Sequence, residues 1–318
     1  MLQCKPKIRR KRANYAIKEA FSKVVKSVME TSIASEIAVQ PPLPSLPAPM
    51  AAWIDFFSNL DLPVLRHTAR GFHELAEEME TVDARSIADQ VLEDPLMTLK
   101  VLSWSVKVRS RRQVTDLETI EPVVLMLGVE PFFHHFEQLH TVESALAGKP
   151  QALAGLLRVV SRSHRAAAYA RDWALRRRDL DTEVILIAAL LHDFAELLMW
   201  VFAPEASLEI QARQRADRTL RSIDLQRAVF GVSLSELEYE LVREWHLPEL
   251  LISMLDDHHA GHPRVRNVLF AVNLARHSSR GWDDAALDDD FHDIASLLHT
   301  TAAHVREMVL PPEFHRAE

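Results

Sequence analysis

The sequence predicts an all-α protein, a multi-helix bundle, and three observations carry that reading. Apolar residues recur at spacings of three and four along most of the 318 residues, and strand-like alternation is absent. Only 7 glycines are present, too few for a hairpin-rich β-fold or for glycine loops that cradle phosphates. Leu, Ala, Glu and Arg dominate, and all four favour helix. With 48% hydrophobic residues the chain can bury a sizeable core.

Taken in order, residues Ala13 to Ile37 carry weak helical amphipathicity, and five prolines within residues 41–49 then predict a stiff linker. The division expected is a basic N-terminal segment (1–40), a proline-rich linker (41–49) and one large helical domain (50–318). Trp53, Ile54, Phe56, Phe57 and Leu60 mark the first helix of that domain, ended by Asp61 and Pro63. Val64, Leu65, Ala69, Phe72, Leu75 and Met79 mark the second. Asp83 can cap the third, which stops before Pro95, and helix resumes through Thr98 to Leu102. Asp116 to Leu127 is closed by Gly128, and Pro131 opens a helix whose buried face is Phe132, Phe133 and Phe136. A long helix follows over Leu153 to Arg177, then a single one from Asp181 to Pro204. Further helices are expected over Leu234–Trp245, Pro248–His258, Val265–His277 and Asp290–Val309.

Composition also excludes functions. The single cysteine, Cys4, rules out an intrachain disulfide framework, and a reducing cytoplasm is the expected compartment. No apolar run of about 20 residues, the length of a membrane span, is apparent. No Ser-His-Asp elbow, CxxC pair, Walker loop or dinucleotide fingerprint occurs. The net charge of −8 hides a cationic cluster, Lys5, Lys7, Arg9, Arg10, Lys11 and Arg12. Such a tail can attract nucleic acid or an anionic surface, or simply be a solvated terminus.

The sharpest local signal is His192-Asp193, where an apolar helix suddenly presents an imidazole and a carboxylate. A buried carboxylate needs a partner: a cation, a metal or several donors. His164 lies upstream and His258-His259 downstream. Histidine with carboxylate suits Mn, Fe or Zn, and such a metal activates water against a phosphate ester. The same residues could equally be core histidines hydrogen-bonded to carbonyls and carboxylates.

The order His164, His192-Asp193, His258-His259 resembles the HD superfamily of metal-dependent phosphohydrolases, and the flanking motifs resemble one branch of it, the HDOD domain. Leu62-Pro-Val-Leu resembles that family's Leu-Pro opening, and Glu93-Asp94-Pro95-Leu its Asp-Pro-Leu helix pair. Thr119-Ile to Leu127-Gly128, Trp245-His-Leu-Pro248 and His258-His259 complete a match over about residues 60–275. The resemblance implies an HD-like bundle used as a signalling output or scaffold that recruits protein partners. It also implies a candidate metal set of His164, His192, Asp193, His258 and His259.

The set is incomplete. Asn273 stands where the later helix of an active HD enzyme supplies an aspartate, and Leu234 where another histidine is expected. Glu238 replaces a common glycine, and Trp104-Ser105-Val106 replaces an Asn-Ser-Ala triplet. The expectation is a degenerate site with no cofactor or a weakly bound divalent metal (Mn, Fe or Zn), acting by interaction; the alternative is a phosphohydrolase acting on a nucleotide or cyclic dinucleotide. Partners expected are signalling proteins, with weak anionic-surface or nucleic-acid contact through the basic segment.

Overall fold

The computed structural model describes residues 43–108, 118–217, 219–255 and 261–311. Among them every regular element is helical, apart from one isolated parallel bridge between Val64 and Thr141. The expected all-α class is the one found.

The N-terminal half comprises α1 (Met50–Ser58), α2 (Arg66–Glu77), α3 (Ala84–Leu92), α4 (Pro95–Val108), α5 (Ile120–Leu127), α6 (Val129–His135) and a single turn, α7 (Val142–Ala145). Its organising residue is Asp94, fully buried between α3 and α4. One carboxylate oxygen accepts from the amide of Leu65 at 2.7 Å and the other from that of Leu96 at 2.8 Å. The Leu-Pro and Asp-Pro-Leu motifs are thus two halves of one joint. Lys100 secures it by pairing with Asp61 and donating to the Leu62 carbonyl at 2.9 Å. On the other side of the joint, the Val64 amide donates to His140 and the Val142 amide to Val64.

The C-terminal half is built on α8 (Pro150–Arg177), a 28-residue helix started by its own Pro150. Against it lie α9 (Thr182–Leu191), α10 (Phe194–Phe202) and α15 (Pro263–His277). Gly155 lets α10 approach, since a Cβ there would stand 2.5 Å from the Trp200 ring. The remaining helices are α11 (Pro204–Ala216), α12 (Ser222–Phe230), α13 (Leu234–Glu244), α14 (Glu249–Leu255), α16 (Leu287–Leu298) and α17 (Ala302–Val309).

Several boundaries differ from the sequence reading. The helix expected from Asp181 to Pro204 breaks at His192-Asp193 into α9 and α10. Residues 182–202 are together long and apolar enough to cross a membrane, at mean hydropathy 2.0, yet 89% of the window is buried. They occupy the centre of the core. The expected helix Asp290–Val309 is two, because His299 turns left-handed at φ +53° and Thr301 caps α17. The sequence reading passed over α11, which is mostly polar, and α12, which is only nine residues long. Nor is the end of the proline-rich stretch free of the domain. Ala48 is buried, its amide donates to the Phe230 carbonyl at 2.9 Å, and Trp53 Nε1 donates to that same carbonyl at 3.0 Å. Gly231, at φ +88°, is required there because a side chain would meet the Ala48 carbonyl.

Candidate functional site

Helices α8 and α15 run antiparallel, and their polar cross-links fix the register. Asn267 Nδ2 donates to the Ala170 carbonyl and Arg165 Nη2 to the Ala275 carbonyl, each at 3.0 Å. One further step along both helices brings Arg162 of α8 and Arg276 of α15 together on Asp193, at the α9–α10 break.

Asp193 is only 6% exposed, and both its oxygens are engaged. Arg162 grips Oδ2 with two nitrogens, Nε at 2.8 Å and Nη2 at 2.6 Å. Arg276 Nη2 donates to Oδ1, and His192 Nδ1 stands 3.8 Å from the same oxygen. Arg162 also reaches Glu196 Oε2 at 2.6 Å, and Glu196 in turn accepts from Trp200 Nε1 at 3.4 Å. Helices α8 and α15 and the break between α9 and α10 are therefore joined through a single carboxylate.

Burial by itself would raise the Asp193 carboxyl, but the Arg162 and Arg276 guanidiniums outweigh it and, with His192, hold the group well below the usual carboxylate range. Glu238, from α13, behaves oppositely. It is 7% exposed, and its Oε2 accepts weakly from the Ala195 amide at 3.4 Å. Burial pushes its carboxyl well above the ordinary value; His192 opposes the shift and the Asp193 charge adds to it. The two neighbouring carboxyls are therefore shifted in opposite directions, Asp193 toward the ionised form and Glu238 toward the protonated one.

The structure divides the expected ligand set. His192 and Asp193 share the pocket, but His164 does not join them. It sits two residues beyond Arg162, about 200° further round α8. Its ring lies against the Glu93 carbonyl, near Asp94 and His67, where burial lowers its pKa. His258 and His259 lie outside the described residues. Asn273 is half-buried on α15, one turn before Arg276, and Leu234 is a buried residue at the start of α13. Among the described residues no three His, Cys, Asp or Glu side chains are grouped as a metal ion requires. The chemistry of the donors points the same way: a dication beside Asp193 would face two permanent guanidinium charges. Among the described residues, the donors around Asp193 do not fit a divalent metal.

Sequence reasoning missed Arg162, Arg276 and Glu196, although it required a partner for Asp193. One signal was legible. Arg162 lies on the inward stripe of α8, between Val159 and Ala166, where an arginine is out of place unless a buried carboxylate faces it.

The sequence model of the HDOD domain matches residues 62–261. Among solved structures, the MmoQ response regulator from Methylococcus capsulatus str. Bath is similar, with a TM-score of 0.59 at 18% identity, covering 79% of this chain and 98% of that one. A virulence factor (cj0248) from Campylobacter jejuni subsp. jejuni gives a TM-score of 0.61 at 16% identity, covering 85% and 97%. At such identities the likeness is one of fold. No curated protein sequence matches significantly.

Proposed function

The chain belongs to the HDOD domain family, and from that premise we propose that it is a bacterial signalling output module that works by protein interaction rather than turnover. The observation that carries this is the occupation of Asp193. Arg162 and Arg276 supply two fixed positive charges and directed N–H donors to the carboxylate that an HD enzyme would turn toward a metal. Glu238 is a further buried carboxyl close to His192 and Asp193. A buried ion pair of this kind adds little net stability against an apolar core, but it favours one arrangement of the joined helices. That suits a scaffold whose surface is read by another protein. Its partners would then be signalling proteins in the cytoplasm, and it would need no cofactor. The likeness to a response regulator supports the signalling half of the reading.

The test is elemental analysis of the purified full chain after loading with Mn, Fe or Zn. The expected result is no stoichiometric metal from any of the three. One metal per chain, lost in an Asp193→Ala variant, would overturn the proposal and restore the phosphohydrolase alternative.

A further inference from the structure

The last turn of α15 makes two oppositely directed attachments through adjacent residues. Arg276 reaches inward to Asp193. His277 reaches toward α16, its Nδ1 standing 2.7 Å from Asp290 Oδ2, and Asp290 is itself buried. The helix then ends at once. Ser278 Oγ donates to the Leu274 carbonyl, and residues 278–280 form a single 3-10 turn before the chain loops back to α16. Adjacent residues on one turn share a backbone, so the turn cannot rotate or fray without altering both attachments.

Among the described residues, the C-terminal pair α16–α17 is held to the rest of the protein by few polar ties. Besides His277–Asp290, Arg177 Nη1 donates to the Leu297 carbonyl at 3.0 Å and Arg266 contacts Ser296 Oγ at 3.4 Å. Within the pair, Arg306 reaches Asp288 at 2.5 Å and lies over the Phe291 ring, so the two helices form one unit. Phe291 and Ile294 bury that unit against its neighbours.

We infer that the C-terminal helix pair α16–α17 is mechanically coupled to the Asp193 pocket through the last turn of α15, so that displacement of the pair withdraws Arg276 from Asp193. This rests on the pocket being a packing joint rather than a metal centre, and it names how that joint is regulated. A partner that pulls on or covers α16–α17 alters the α9–α10 break without touching it. By reciprocity, a change at Asp193 alters the hold on α16.

Amide hydrogen exchange of the full chain tests the coupling, with Asp290→Asn and Arg276→Gln as complementary perturbations. Losing one contact from a partly exposed side chain should speed exchange roughly threefold to tenfold. In Asp290→Asn the effect should appear in α16 and in the first turn of α10, whose Glu196 and Leu197 amides bond the Asp193 carbonyl. In Arg276→Gln the same two regions should respond, and α2–α4 should be unchanged in both variants. Acceleration confined to α16 in the first and to α10 in the second would overturn the inference. So would a uniform rise over all helices, because the path claimed is local. Metal content of the same samples reports separately on the functional reading, which can fail while the coupling stands.

Discussion

Replacing Asp193 with alanine should destabilise the protein even where no metal is present. The variant leaves Arg162, 16% exposed, and Arg276 without their shared anion. Breaking a buried pair by removing one partner costs about 3–5 kcal/mol. Two features reduce that here. Arg162 keeps Glu196 at 2.6 Å, and Arg276, 43% exposed, can turn toward water. Discounting for both leaves about 2–3 kcal/mol. At about 2–4 °C per kcal/mol for a chain of this size, the midpoint should fall by roughly 5–10 °C. Thermal and urea unfolding in the presence of a chelator make the comparison, so that adventitious metal contributes to neither protein. Adding Arg162→Met to Asp193→Ala should recover part of the loss, with a coupling of about 1–3 kcal/mol between the two positions. An Asp193→Ala midpoint within about 1 °C of the parent in chelator, or strictly additive effects, would refute the ion-pair account.

Three further outcomes follow from the same geometry. Glu238 has its carboxyl pKa raised in the fold, chiefly by burial, so the folded state holds the proton more tightly and stability falls as pH rises from the ordinary carboxylate value through the raised one. Glu238→Gln removes that loss and should be more stable than the parent at pH 8 but not at pH 4; urea midpoints at both pH values check it, and a variant weaker at both would count against the upward shift. His277 has its pKa raised, first by its hydrogen bond to Asp290 and further by Asp290 and Asp284 charge, against burial and Arg276. Its contribution is therefore full below the ordinary histidine value and lost as pH rises through the raised one. A proton titration of His277 by NMR should return toward the ordinary value in Asp290→Asn. Finally, Asp94→Ala leaves the buried amides of Leu65 and Leu96 unsatisfied and should cost about 2–4 kcal/mol by urea unfolding, with a loss under about 1 kcal/mol arguing that the joint is not as tightly closed as its distances imply.

What was legible in the sequence was periodic. The apolar spacing of α2, α3, α8 and α15 located those helices because a half-buried helix must repeat every three to four residues. Breaks driven by side-chain chemistry were less visible. The α9–α10 break at His192-Asp193 lies within a run so apolar that periodicity has nothing to mark, and α11 carries too polar a face to stand out. At the site, the sequence identified Asp193 as a residue in need of a partner but could not choose among partners. That choice depends on which face of α8 turns inward, and Arg162 and His164 differ there by two residues and about half a turn. Histidines drew attention as ligands, whereas Arg162 and Arg276, which hold the carboxylate, were not singled out.

The difference between a metal and an arginine pair in this position is one of exchange. A bound ion can enter and leave, and its site responds to the concentration of the ion. Two guanidiniums attached to α8 and α15 cannot leave, and no accessible pH discharges them. The state of Asp193 then changes only when one of those helices moves. Arg162 is backed by Glu196 and sits in the middle of a 28-residue helix, so it is the fixed jaw. Arg276 is half-exposed on the last turn of its helix, next to the residue that holds α16, so it is the jaw free to move. On the proposed reading, a site built this way responds to the position of its own C-terminal helices rather than to a small ligand.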